Sequence, residues 1–189
     1  MSLLKQLFRL ILKRRAPTWS GRVSAPGLNA PVSIRRDRYG VAYIDAENED
    51  DVWFGLGFCH GQDRAGQLEI TIRAIRGTLA AATGKDGIGI DRLSRRVGFL
   101  RAARAQLEVQ DEDVRRQLER YATGLNCGIT RGGKRRAHEL ALLRCEPSVW
   151  SAVDVQGLIV GNVVDVVDVV STAAVAVVST AAVAVVSTA

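Results

Sequence analysis

Cysteine and histidine are both scarce in this chain, which carries only Cys59, Cys127, Cys145, His60 and His138. No Cys-x-x-Cys pair occurs, and the spacing supports neither a four-ligand zinc site nor a disulfide framework as the organising feature. Acid is absent from residues 1–22, where six Lys or Arg residues stand alone. Between residues 23 and 162 the count is 20 basic against 18 acidic, so the net charge of +6 belongs mostly to the N-terminus. A nucleic-acid-binding body needs its own basic stripe, and none is evident, so no nucleic-acid partner is expected. Also missing are a phosphate-cradling glycine loop, a His-Glu-x-x-His pair and a Gly-x-Ser-x-Gly elbow, so spacing alone declares no reaction.

Both ends differ from the middle. Ser2 to Leu12 places Leu3, Leu4, Leu7, Phe8 and Ile11 on one helical face, with Lys5 and Arg9 elsewhere. This pattern predicts a short basic amphipathic helix. Lys5 and Arg9 interrupt the apolar stretch that a signal peptide needs. Packing on its own domain is the expected fate of this segment, and weak association with an anionic membrane surface is the alternative. At the other end, Val-Val-Ser-Thr-Ala-Ala-Val-Ala at 169–176 recurs at 177–184, and Val-Val-Ser-Thr-Ala closes the chain. An eight-residue period matches neither a helix nor a strand core, and six Ser or Thr residues weaken a membrane span. The tail reads as low-complexity sequence with a tendency toward β aggregation. The expected organisation is a basic segment at 1–16, a folded region at 17–162 and a repeat tail at 163–189.

The body opens with alternation. Val32 and Ile34, a turn at Asp37-Arg38-Tyr39-Gly40, then Val41, Tyr43 and Asp45 set against Ala42 and Ile44, predict a β-hairpin. Asn48 then caps a helix with Asp51 as its third residue, running to Arg76 and stopped by Gly77. Gly55, Gly57, Gly61 and Gly66 lie inside it, each costing about 1 kcal/mol relative to alanine. Close approach of another backbone is the expected compensation, with a break near Gly61 as the alternative. Asp91 is expected to cap a helix carrying Leu93, Val97, Leu100 and Leu107. Asp111 is expected to cap another, carrying Val114, Leu118, Tyr121, Ala122, Leu125 and Ile129. The arginines at 95, 96, 101, 104, 115, 116 and 120 fit a solvated outer face, and Arg131 to Arg136 a basic loop. Ser151-Ala-Val-Asp154 is a capping box opening a last helix toward Asn162.

The densest cluster of potentially reactive groups is Cys59-His60-Gly-Gln62-Asp63-Arg64. Neighbours on a helix point about 100° apart, which argues against a Cys/His nucleophile pair. A structural role for Asp63 and Arg64, as a hydrogen-bonded charge pair tying the helix to the hairpin, is the preferred reading.

These residues also form a recognisable order. Arg36-Asp37-Arg38-Tyr39-Gly40-Val41, Ala46-Glu47-Asn48, Gly55-Leu56-Gly57-Phe58 and His60-Gly61-Gln62-Asp63-Arg64 are followed by Gln67-Leu68-Glu69 and Arg76-Gly77-Thr78-Leu79. Tyr121-Ala122-Thr123-Gly124-Leu125-Asn126, Glu146-Pro147, Trp150 and Asp154 complete it. Over about residues 17–162 the order resembles the α-chain region of the penicillin acylase (penicillin amidase) family.

The resemblance implies an α+β fold, the mostly helical α-chain part of a four-layer αββα N-terminal nucleophile hydrolase with a short β-hairpin, incomplete by itself. It implies a precursor cut into an α chain and a longer β chain. The β chain's N-terminal serine attacks an amide, its own α-amino group acts as base, and an oxyanion hole stabilises the intermediate. Substrates of such a family are β-lactam side-chain amides or acyl-homoserine lactones, and the implied partners are that β chain and a small amide substrate. Calcium often accompanies the family, but no metal ligand can be carried onto this sequence, so no cofactor is expected. The family resemblance implies a periplasmic setting, whereas the interrupted leader fits the cytoplasm. Ser171, Ser179 and Ser187 each precede Thr-Ala rather than the family's Asn-Asn-Trp. Ala42 stands where proline is common, and the chain ends before a β chain could begin. No catalytic residue is therefore expected in this chain, and its substrate-binding residues are unassigned. A noncatalytic, membrane-associated or partner-binding relic of the acylase scaffold is the alternative.

Overall fold

The structure, a computed structural model, describes residues 18, 20–132 and 137–163. The basic amphipathic segment, the Ser-Thr-Ala repeats and most of the Arg131–Arg136 loop lie outside them. The fold is α+β and mostly helical, with one short antiparallel sheet, the class expected from the sequence.

Strands β1 (Ser33–Arg36) and β2 (Ala42–Asp45) pair with Ser33 opposite Asp45 and Ile34 opposite Ile44. The turn is held by Asp37, whose Oδ1 accepts from the backbone N–H of Tyr39 and of Val41 at 2.8 and 2.9 Å. Gly40 takes a φ of +85° there, which L side chains rarely adopt. Period-two alternation turns Ile34 and Ile44 inward, leaving Tyr43 and Val41 outside.

Helix α1 (Glu49–Arg76) begins where expected: the Asn48 side chain accepts from the Asp51 N–H, and three acids occupy the first turn. It ends at Gly77, left-handed at φ 67°, with the Gly77 N–H on Ala74 O and the Thr78 N–H on Arg73 O. The break is at Arg64 (φ −129°, ψ 23°), three residues beyond Gly61.

Two of the four α1 glycines, Gly57 and Gly61, meet another backbone as the sequence predicts, whereas Gly55 and Gly66 meet side chains. Helix α5 (Glu112–Arg131) lies along α1 so closely that a Cβ at Gly57 would collide with Tyr121 O, and one at Gly61 with Leu125 O. Gly124 and Gly128 of α5 meet Phe54 O and Phe58 O of α1 in the same way. Two glycine pairs at i, i+4 spacing thus make a reciprocal seam in which backbone packs on backbone. Gly55 serves another neighbour, leaving room for Ile44 and Val32 of the hairpin region.

Between these two helices run α2 (Ala80–Thr83), a 3₁₀ turn (Gly84–Gly87), α3 (Ile88–Val97) and α4 (Phe99–Glu108). Here the structure departs from expectation. Asp91 sits within α3 instead of capping it, and its carboxylate accepts from the N–H groups of Leu79 and Ala80, at 2.6 and 3.0 Å, at the start of α2. Left-handed Gly98 (φ 79°) breaks the expected single helix and re-aims α4. The expected stripe is consequently split: Leu93 and Val97 are about half exposed, and Phe99 and Ala103 are buried instead. Asp111 does precede α5, but its side chain makes no capping hydrogen bond.

Helix α6 (His138–Leu142) packs beside α1, with Glu139 against Gly66. Helix α7 (Ala152–Val163) follows one half of the expected capping box: the Ser151 N–H donates to Asp154 Oδ2 at 2.8 Å, while the Ser151 hydroxyl donates to the same oxygen and the Asp154 N–H goes to Ser151 O. The main core joins Leu68 and Ile72 of α1, Ala122 and Leu125 of α5, Trp150, and Val155 of α7.

Candidate functional site

The Cys59–Arg64 turn of α1 faces three ways, and the structure separates its groups. Cys59 is buried, and burial more than any nearby charge pushes its thiol above the ordinary range, so the nucleophilic thiolate is suppressed. His60 points to α5, where Nδ1 lies 2.7 Å from the Tyr121 hydroxyl and the rings meet edge-on. Burial outweighs the pull of Asp63 and holds the imidazole below 6.5, while it pushes the Tyr121 hydroxyl up to about 12. His60 is thus an interhelical contact and not a base for Cys59. Cys127 is likewise buried with its thiol raised.

Gln62 and Asp63 face the hairpin. Arg36 of β1 donates from Nη1 and Nη2 to the two Asp63 oxygens at 2.8 and 3.1 Å, from Nη2 to Gln62 Oε1 at 3.0 Å, and from Nη1 to Gly40 O. Gln62 Nε2 in turn donates to Thr18 O and Gly132 O. The charge pair tying helix to hairpin therefore exists, but Arg36 replaces the expected Arg64, which is exposed where α1 kinks.

Beside this joint lies a cleft of about 590 Å³ between the segment from Thr18 to Pro31, the hairpin and α1. Leu28, Val32, Ile34, Phe54 and Phe58 make its apolar wall, with Arg36 and Gln62 at one side. Thr18, Ser20 and Arg22 also line it, so the cleft pairs its apolar wall with an equally extensive polar side and suits a group that is apolar at one end and polar at the other.

The buried carboxylates are all committed to joints. Asp51, fully buried, accepts from the N–H groups of Asn29 and Ala30, from Asn48 Nδ2, and from Arg120 Nη2 at 2.7 Å. Burial alone pushes its carboxyl up; the hydrogen bonds and the Arg120 charge reverse this and hold it low. Glu69 pairs with Arg73 and receives the N–H and hydroxyl of Ser148. Asp154 takes Arg76 in a fork of 2.8 and 2.9 Å, and that guanidinium with Ser151 overcomes burial to keep its carboxyl low. Arg120, expected on the solvated face, is thus drawn into the Asp51 joint, and Arg116 reaches Asp50. Arg120 lies 69 positions from Asp51, Ser148 79 from Glu69 and Arg76 78 from Asp154, and only the position of an acid in the first turn beyond a cap hinted at Asp51. Among the described residues no group of three or more His, Cys, Asp or Glu could hold a metal ion, and no helix is long and apolar enough to cross a membrane.

The arrangement can bind and dock, but among the described residues it brings no activated nucleophile to the cleft. Comparison with known proteins is consistent in direction. A family profile described as penicillin amidase matches residues 31–176. The penicillin acylase 2 proenzyme of Pseudomonas sp. (strain SE83) is 35% identical over 150 residues, 79% of this chain but 19% of that protein. An acyl-homoserine lactone acylase, QuiP, of Pseudomonas fluorescens (strain Pf-5) is 32% identical over 138 residues, 73% of this chain and 17% of that protein. The chain therefore spans less than a fifth of the length of these curated relatives. A solved structure, the thermostable penicillin G acylase from Alcaligenes faecalis, superimposes with a TM-score of 0.63 at 25% identity, covering 71% of this chain and 73% of that one.

Proposed function

The chain belongs to the penicillin amidase family of amidohydrolases, and on that footing we propose that it is the α-chain-like part of an amide hydrolase whose chemistry is carried by a serine-led partner chain. Residues 17–162 are the unit that docks on this partner, with 1–16 and 163–189 as appendages. The partner's N-terminal serine attacks the amide carbonyl and releases the amine, and water then releases the acyl group. The substrate class is a β-lactam side-chain amide or an acyl-homoserine lactone, the activities named for the matched relatives.

The carrying observation is the family match over residues 31–176, laid on a body whose buried thiols are held protonated by burial and whose buried carboxylates are occupied in joints. The test is to produce the full chain alone and together with the serine-led chain of a relative, assaying a chromogenic phenylacetyl amide and an acyl-homoserine lactone. Hydrolysis only in the paired sample is the expected result. Turnover by the chain alone overturns the proposal, and a stable but inactive pair supports the noncatalytic alternative.

A further inference from the structure

A second cleft, of about 510 Å³, shares no lining residue with the first. It lies among the C-terminal end of α1, the last turn of α3 and the length of α4. Four arginines line it, Arg76, Arg95, Arg101 and Arg104, against a single acid, Glu108. Arg76 is neutralised by Asp154. Arg95 donates from Nε and Nη2 to Gly77 O, at 2.9 and 2.6 Å, and so is fixed in place by a neutral group. Arg101 and Arg104 are exposed, and neither has an ion pair or hydrogen bond among the described residues. Three arginines consequently line one cleft with no carboxylate partner assigned among those residues.

Two further features belong to the same cleft. Gly98 and Arg101 place it at the N-terminus of the ten-residue α4, which lacks a side-chain cap and whose first N–H groups have no intrahelical acceptor. Ser94 also lines it, and although it is 2% exposed its hydroxyl has no hydrogen-bond partner among the described residues. A buried hydroxyl left unpaired is unfavourable unless something supplies an acceptor. A ligand oxygen would do so, and the surrounding charge specifies its sign.

The geometry points to a phosphate-binding cleft in which Arg95, Arg101, Arg104 and the Ser94 hydroxyl hold a phosphate group, either free or on a small phosphomonoester. Guanidinium forks suit phosphate oxygens, and the cleft is larger than one phosphate, leaving room for an ester substituent. The site is independent of the amide-hydrolase reading.

Equilibrium dialysis of radiolabelled inorganic phosphate against the full chain tests this, since it reads bound ligand per chain even if the protein self-associates. Saturable binding near one per chain, weakening as salt rises, is expected. The exposed pair Arg101→Gln and Arg104→Gln should reduce affinity at least tenfold, Ser94→Ala several-fold, and the remote Arg115→Gln not at all. Competition by glycerol phosphate at equal or lower concentration assigns the cleft to an ester, and weaker competition assigns it to free phosphate. Non-saturable uptake, or saturable uptake unchanged by the double substitution, overturns the proposal and leaves an adventitious ion only.

Discussion

Asp51 shows how much one buried side chain can hold together. Its two oxygens receive the N–H groups of Asn29 and Ala30, the Asn48 amide and the Arg120 guanidinium, so it joins the leading segment, the cap of α1 and α5. Asp51→Asn keeps the shape but strips the charge, leaving Arg120 opposite a neutral group. Breaking a buried pair in this way costs about 3–5 kcal/mol, to be read from urea denaturation midpoints. The pH dependence has a definite sign. Asp51 and Asp154 both titrate below the ordinary aspartate value of 3.8 in the folded chain. Their stabilisation is present above that value and is lost as pH falls through the lower, folded values. Stability measured between pH 7 and pH 2.5 should therefore fall steeply below about pH 4, and less steeply in Asp51→Asn. The cap from Asn48 was legible because it is local. Arg120 was not, since nothing in an amphipathic pattern tells an arginine that pairs 69 positions away from one facing water.

At the scale of elements, the glycine seam makes a prediction opposite to helix propensity. Gly124→Ala should gain about 1 kcal/mol if only the helix mattered. Its Cβ would instead meet the Phe54 backbone, and the overpacking should cost about 1–3 kcal/mol or more. Gly89, inside α3 where an added Cβ would meet nothing within 4 Å, supplies the control: Gly89→Ala should raise the thermal midpoint while Gly124→Ala lowers it. The seam was legible in part, because four glycines inside one helix demand a close neighbour. That the neighbour is α5, with its own glycines in register, is a matter of packing. The break at Gly98 was missed for a related reason: Leu93, Val97 and Leu100 keep helical spacing across it, and a periodic pattern does not register one residue turning left-handed.

Across the whole molecule, the hairpin stands out. Among the described residues its sheet has two strands, so each has an open edge, and Tyr39, Val41 and Tyr43 are 74%, 53% and 52% exposed. Open edges beside apolar side chains favour association with another chain. The full chain produced alone should self-associate, and sedimentation velocity should show the double substitution Val41→Lys and Tyr43→Lys shifting it toward monomer. A monodisperse wild-type chain would sink this expectation. Co-production with a serine-led chain that covers the hairpin should suppress self-association without any substitution.

Local sequence was enough for the hairpin, both ends of α1, the Ser151–Asp154 contact before α7 and the family, because caps, turns and alternation are set by residues a few positions apart. Only after packing is it settled that Asp63 pairs with Arg36 instead of Arg64, that Asp91 holds the N–H groups at the start of α2, and that Arg95, Arg101 and Arg104 line one cleft. Charge pairing is settled by which side chains meet after the backbones have packed, and helical periodicity carries no record of that meeting.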